Sequence, residues 1–369
     1  MLKIFFLIIL FIHGMIHILG FLKAFQLAEI NQLTQNISKP IGILWLAALV
    51  LLLLSAILFI TEKDIWWQPA FAGVLISQIL IILFWQDAKF GTIPNIIIIL
   101  VAIVAFAGWS FNRDVKSEVT EMLSENSLDK KEILTEEKIS HLPPVIQKWL
   151  KNSGAVGREK IRSVYLRQRG KIRMKPEQEN WYDAQAEQWF TVNNPAFIWK
   201  VKVDMMPLVF FTGRDKFSDG KGSMLIKILS LINIVNSNDN EKINQGTLQR
   251  YLGEIVWFPS AAVSPFIKWE EVDSMTAKAT MTYKGTTGSA LFYFNENGDF
   301  AKFSAMRYME TENDSQLKEW TITLNEYKIY DGIKIPVKGE ATWKLDNGDF
   351  TWYKLEIYDV KYNHRVMKE

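Results

Sequence analysis

Two residue pairs in this chain stand four positions apart and carry groups capable of chemistry. In "RYLGEIVWFPSA" (250–261), Arg250 and Glu254 fall on one face of a helix, in the less favourable order for an ion pair. In "HGMIH" (13–17), His13 and His17 share a face in the same way. The histidine spacing suits a haem or metal site or a proton relay. It equally suits hydrogen bonding to neighbouring helices, with Gly14 and Gly20 permitting close approach. Arg250, with Arg214 of "GRDKFSDGKG" (213–222), has the planar donor geometry that holds a carboxylate or phosphate head group. Glu254 would then be a buried acid at the same place. As a catalyst it needs a second group, and no histidine or Ser-His-Asp order lies near it. The plainer reading is a core helix with a polar edge, in which Arg250 pairs with Glu254 or with a carboxylate such as Asp273. "GRDKFSDGKG" lacks the Walker spacing and reads as a β-turn connection.

The composition removes several classes of chemistry. There are no cysteines, so disulfides, thiolate metal sites and cysteine nucleophiles are excluded. Four histidines (His13, His17, His141 and His364) are too few and too scattered for a zinc site beyond the first apolar run, and no metal or other cofactor is expected. The 42 basic residues nearly balance the 40 acidic ones, leaving no field for nucleic acid.

The elements that position these groups differ between the two ends of the chain. Apolar runs at 2–22, 41–60, 69–86 and 93–111 each approach the ~20 residues that cross a bilayer as a helix. The first has no small-residue cleavage site and reads as a span. Trp66, Trp67, Trp85 and Trp109 suit an aromatic belt, which predicts a multi-pass protein of the cytoplasmic membrane. The basic residues flanking the spans lean by about one charge toward a cytoplasmic C-terminal domain. Within the runs, Gln78 and Ser77 read as interhelical polar contacts. Asp87 and Lys89, in "WQDAKFGTIPN" (85–95), read as part of an interfacial turn, pairing there or lining a small cavity.

Residues 112–142 carry both charge signs and few aromatics, as a tether does. A proline-started helix over 143–153 opens the domain that fills 143–369. Period-two alternation predicts strands over 160–174, 180–192 and 196–206. The run "MLIKILSLINIVN" (224–236) and the segment 245–257 are expected as helices. Six more strands follow near 276–284, 288–295, 300–309, 318–328, 333–344 and 350–362. "NENGD", "YDGIKIP" and "DNGDF" mark tight antiparallel turns between them. The expectation is therefore a four-helix transmembrane bundle followed by an α+β domain. In that domain a curved antiparallel half-barrel of nine or ten strands packs on two or three helices. Nine tryptophans lie beyond the last apolar run, enough to fill a core or to line an apolar cavity, Trp199 and Trp257 among them.

The order of "HGMIHILGF" (13–21), "SQILIILFWQDAKFGTIPN" (77–95), "GRDKFSDGKGSMLIKILSLINIVN" (213–236), "INQGTLQRYLGEIVWFPSA" (243–261) and "ATWKLDNGDFTWYKLEI" (341–357) resembles an uncharacterised bacterial membrane family of unknown function. The helical half is also faintly similar to DoxX-like proteins. The sheet half is similar in layout to LolA and LppX half-barrels, which hold acyl chains between a curved sheet and its helices. That resemblance implies a membrane-anchored, non-enzymatic module for a membrane lipid or another apolar or anionic-headed ligand, with Arg214, Arg250, Glu254, Trp257 and Trp199 as the residues to test. Two other readings stay open: a sensor using His13 and His17, with Gln78 and Asp87 as further membrane-site residues, or a hydrolase acting on a membrane-derived substrate through Glu254.

Overall fold

The computed structural model describes residues 2–124, 131–309 and 316–363. The chain forms two compact units, Met1–Arg113 and Asp114–Glu369. The first is helical: α1 (Leu2–Ile16), α2 (Ile18–Ala24), α3 (Lys39–Ile60), α4 (Trp67–Leu83), α5 (Trp85–Ala88) and α6 (Thr92–Ser124), with the unit boundary falling inside α6. Among the described residues three stretches are long and apolar enough to cross a membrane, Leu2–Ala24, Lys39–Ile60 and Trp85–Ser124, while Trp67–Leu83 is apolar but shorter. Glycine allows the helices to touch. A Cβ on Gly20 would lie 2.1 Å from Trp45 Cδ2, so the tryptophan ring seats directly on α2 backbone.

The second unit carries two short helices, α7 (Glu136–Ile139) and α8 (Pro144–Asn152), before the sheet. Leu134 and Ile139 sit in its hydrophobic core, so residues 131–142 are built into the domain and do not act as a free charged tether. Residues 125–130 of the expected linker lie outside the described residues.

The sheet has thirteen antiparallel strands, more than the nine or ten expected. These are β1 (Ser163–Ile172), β2 (Tyr182–Thr191), β3 (Ala196–Met206), β4 (Val209–Ser218), β5 (Lys221–Ile228), β6 (Ile232–Asn238), β7 (Ile267–Asp273), β8 (Thr276–Tyr283), β9 (Thr286–Phe294), β10 (Phe300–Tyr308), β11 (Leu317–Tyr330), β12 (Ile333–Leu345) and β13 (Gly348–Tyr362). Two meanders, β1–β6 and β7–β13, are joined by pairing of β1 with β13, giving the order β6-β5-β4-β3-β2-β1-β13-β12-β11-β10-β9-β8-β7. The tight turns have the expected chemistry. Asp331 and Gly332 both take positive φ (48° and 80°), the requirement of a type I′ hairpin.

The main correction concerns 224–236, expected as a helix and found as the β5–β6 hairpin. Its apolar run fits either period, but Ile226, Ile228, Ile232, Ile234 and Val235 are β-branched and favour a pleated surface. Leu229 and Ser230 turn the chain at positive φ (54° and 60°). β4 was likewise read only as the approach to a turn. That turn is real, at Asp219 and Gly220, but it follows ten residues of strand.

Of the two helices expected within 224–257, the second remains as α9 (Glu241–Glu254), capped by the Asn240 side chain and continued by 3₁₀ turns at Ile255–Trp257 and Pro259–Val263. It touches β4 and β5 near one edge of the sheet and β8, β9 and β10 near the other. A single helix can meet both edges only if the sheet curls round it. The β4–β5 turn accordingly reaches the β8–β9 turn: Thr286 Oγ1 donates to Gly220 O at 2.7 Å, and a Cβ on Gly220 would stand 2.7 Å from Lys284 Cβ. At that end the sheet is nearly closed into a barrel with α9 as its filling.

Candidate functional site

α9 does not fill the curl completely. Between its C-terminal half and the concave face of β1, β3–β5 and β10–β13 lies a cavity of about 370 Å³. Its walls are aromatic and aliphatic, with Trp199, Trp257, Trp320, Trp343 and Trp352 among them. It extends to Met174 and Met309, which are surface residues, 41% and 36% exposed.

Several of the polar residues at this cavity form one network. Arg250 Nε donates to Glu254 Oε1 at 2.9 Å, and Arg250 Nη1 donates to Asp215 Oδ2 at 2.6 Å. The other Glu254 oxygen accepts from Gln188 Nε2 at 2.8 Å. Gln188 accepts in turn from Gln168 Nε2 at 2.9 Å, and Gln168 Oε1 receives Tyr353 OH at 2.9 Å and Trp199 Nε1 at 3.3 Å. The Arg250 guanidinium also lies 4.6 Å from the centre of the Trp199 ring, a cation–π contact. The expected partner Asp273 plays no part; it belongs to β7 and bonds the Met275 amide in its own turn.

Burial dominates the electrostatics. It pushes the carboxyls of Asp215 and Glu254 above their ordinary values, against the pull of Arg250. Burial works to lower the Arg250 pKa as well, but the Glu254 and Asp215 carboxylates outweigh it and hold the guanidinium charged. The arrangement can therefore keep a cation and two acids out of water, with both oxygens of Glu254 engaged.

Of the five residues singled out in this domain, Arg250, Glu254, Trp199 and Trp257 line the cavity and Arg214 does not. The pleat explains why. On β4, Gly213, Asp215 and Phe217 point inward, so Arg214 and Lys216 point to the opposite face. There Arg214 Nε meets Glu118 Oε2 at 3.3 Å, Lys216 meets the same carboxylate at 3.8 Å, and Arg214 also donates to Ser223 Oγ.

Sequence reasoning passed over Arg307, Gln168 and Gln188. The signal was present: on β10, Phe303, Ala305 and Arg307 are alternate residues, which places a guanidinium on the buried face. Gln168 follows Leu166, and Gln188 stands between Ala186 and Phe190, on equally buried faces.

The helical unit holds a second, separate cluster. His13 Nε2 lies 2.8 Å from Asn95 Oδ1 and 3.3 Å from Ser77 Oγ, and His17 Nε2 lies 2.9 Å from the same Ser77 Oγ. His17 Nδ1 is 2.7 Å from the His13 carbonyl. Asn95 Nδ2 donates to Ser77 Oγ at 3.0 Å and to Gln78 Oε1 at 3.1 Å, and Gln78 reaches Thr92 at 3.3 Å. Asp87 does not pair with Lys89. It accepts from the Thr34 amide (2.7 Å) and hydroxyl (2.8 Å) and from the Gln35 amide, tying down the α2–α3 loop.

Fold and site together define a helical N-terminal region followed by a large curled antiparallel sheet that encloses an apolar cavity with a charged floor. Residues 132–355 match the model of a family of unknown function (DUF6544), and the chain belongs to that family. Among solved structures, it is similar to a LolA superfamily protein from Nitrosomonas europaea at 12% identity and a TM-score of 0.34, covering 60% of this chain and 93% of that one. No curated protein matches the sequence.

Proposed function

We propose that the sheet domain is a binding module for an apolar, lipid-like ligand, held at the membrane by the apolar helices, and that it is not an enzyme. The observation that carries this reading is the cavity itself. Its volume of about 370 Å³ falls in the ~300–1,000 Å³ range of small-molecule sites, and its walls are mostly apolar with a few convergent polar groups. Five tryptophans facing one space offer large contact area at little entropic cost. The curl places the cavity between sheet and helix, as a half-barrel requires. Glu254 is tied through both oxygens to Arg250 and Gln188, which suits a fixed wall better than a proton-transfer group.

The test is the full-length protein purified in detergent, extracted and weighed for lipid, beside an Ile226→Trp variant. Ile226 lines the cavity from β5, and an indole there fills the space from a residue already partly exposed. The expected result is near-stoichiometric lipid on the wild type, lost from the variant at unchanged melting temperature. Equal lipid on both proteins would assign it to the helices and end the reading.

A further inference from the structure

Among the described residues, four buried donor atoms of cavity-lining residues have no hydrogen-bond partner: Arg307 Nε and the indole nitrogens of Trp257, Trp320 and Trp352. Every one is a donor, and no acceptor of a lining residue is left over in the same way. A cavity that keeps surplus donors fits a ligand that brings acceptor oxygens.

Arg307 is the strongest of the four. The two cavity carboxylates already accept from Arg250, and Arg307 forms no ion pair with either. Its guanidinium carbon lies instead 4.6 Å from the centre of the Trp320 ring and 5.9 Å from that of Trp343. Aromatic faces stabilise a cation only in part, and a buried charge without an anionic partner is costly. The guanidinium rests against α9 where Gly246 leaves room: a Cβ there would stand 2.8 Å from Nε and 3.2 Å from Nη2. Burial and the neighbouring Arg250 lower the Arg307 pKa to about 10, which leaves it cationic at neutral pH.

We infer that Arg307 is the receptor for the head group, and that the ligand is an amphiphile ending in a single negative charge, of the long-chain carboxylic acid class. This rests on the apolar-ligand reading above and names its chemistry. A carboxylate matches the planar fork of one guanidinium. A dianionic phosphate would set a second negative charge beside Asp215 and Glu254, which already share Arg250.

The experiment titrates the full chain, in non-ionic detergent at neutral pH, with 12-bromododecanoic acid and with 12-bromododecanol, reading quenching of tryptophan fluorescence. The quantity compared is the ratio of the two half-quenching concentrations, acid over alcohol, in wild type and in Arg307→Gln, so that micelle partitioning cancels. Loss of one charge-assisted hydrogen bond should raise that ratio by about tenfold or more in the variant, with the alcohol midpoint unchanged. Gly246→Ala, which pushes the guanidinium aside while keeping a good helix former, should move the ratio in the same direction. An unchanged ratio in both variants overturns the head-group assignment while leaving apolar binding intact. Tighter binding of dodecyl phosphate than of dodecanoate overturns the single-charge class. Absence of quenching by either brominated probe removes the apolar-ligand reading itself.

Discussion

The molecule has two buried polar clusters, and they are built on opposite principles. In the helical unit, His13, His17, Ser77, Gln78 and Asn95 are uncharged groups or histidines that bond one another in a closed set, with Ser77 Oγ at the centre. In the sheet domain, the cluster is charged, borders a cavity and has donors left over. A closed neutral network in an apolar setting ties helices together. A charged network with surplus donors beside a cavity is fitted to something else. Identical i, i+4 spacing in the sequence thus leads to two different roles, and what separates them is the balance of donors and acceptors around each pair.

The largest test of the comparison is removal of the central cation. Arg250→Met leaves Asp215 and Glu254 buried without a counter-ion, for which a loss of about 3–5 kcal/mol is expected. The unfolding midpoint of the full chain, followed by tryptophan fluorescence, measures it. Replacing all three ionic residues with apolar ones of similar volume should restore most of that stability, while lipid retention stays low. A mild effect of Arg250→Met would mean that the pair is wetter than its geometry implies.

A smaller effect concerns pH. The Glu254 carboxyl is raised by burial, so its favourable contribution is complete below the ordinary carboxylate value, near 4.3, and is lost as pH rises through the higher native value. Glu254→Gln cannot ionise. The melting temperature of wild type relative to this variant should therefore fall as pH rises above about 4.3 and level off once the raised native value is passed. A gap that stays flat above about pH 5, after widening in favour of the wild type at lower pH, would show a carboxyl held below its ordinary value, with Arg250 prevailing over burial.

Ser77→Ala removes the oxygen shared by His13, His17 and Asn95. Interhelical hydrogen bonds of this kind contribute on the order of 0.6 kcal/mol each, so a loss of about 1 kcal/mol in detergent unfolding is expected. Loss of an activity or of ligand at unchanged stability would instead make the histidine pair functional. The smallest effect belongs to the edge hairpin. Ile234 on β6 is 56% exposed, and Ile234→Lys should stay within about 0.5 kcal/mol of wild type. A helix packed under the sheet would lose several times more.

The two halves of the sheet differed in legibility for a local reason. From Thr276 onward several of the strands are separated by Asn, Asp and Gly turns whose φ requirements can be read from residue type, as at Gly298, Asp331 and Gly332, and β8 to β13 fall close to where the alternation places them. β5 and β6 lack such a marker. Their turn is Leu229 and Ser230, neither a usual residue for positive φ, inside a run whose apolar residues satisfy both periods. The β-branched residues lean toward a strand there, and tertiary pairing with β4 decides it against the helical period.

The same division holds for the site. Residue types and spacing alone sufficed to put Trp199 in a strand, Arg250 beside Glu254 on one helix, and apolar stretches of membrane-crossing length in the first 113 residues. The curl of the sheet decided the rest. It brought β4 and β10, ninety residues apart, to opposite sides of α9, giving Arg250 the partner Asp215 and seating Arg307 against Gly246. It also turned Arg214 away from the cavity, because adjacent residues of a strand face opposite sides of the sheet. Alternation along a strand is a local property that sequence carries. Which distant strands face one another across a helix depends on how far the whole sheet bends, and no single segment encodes that.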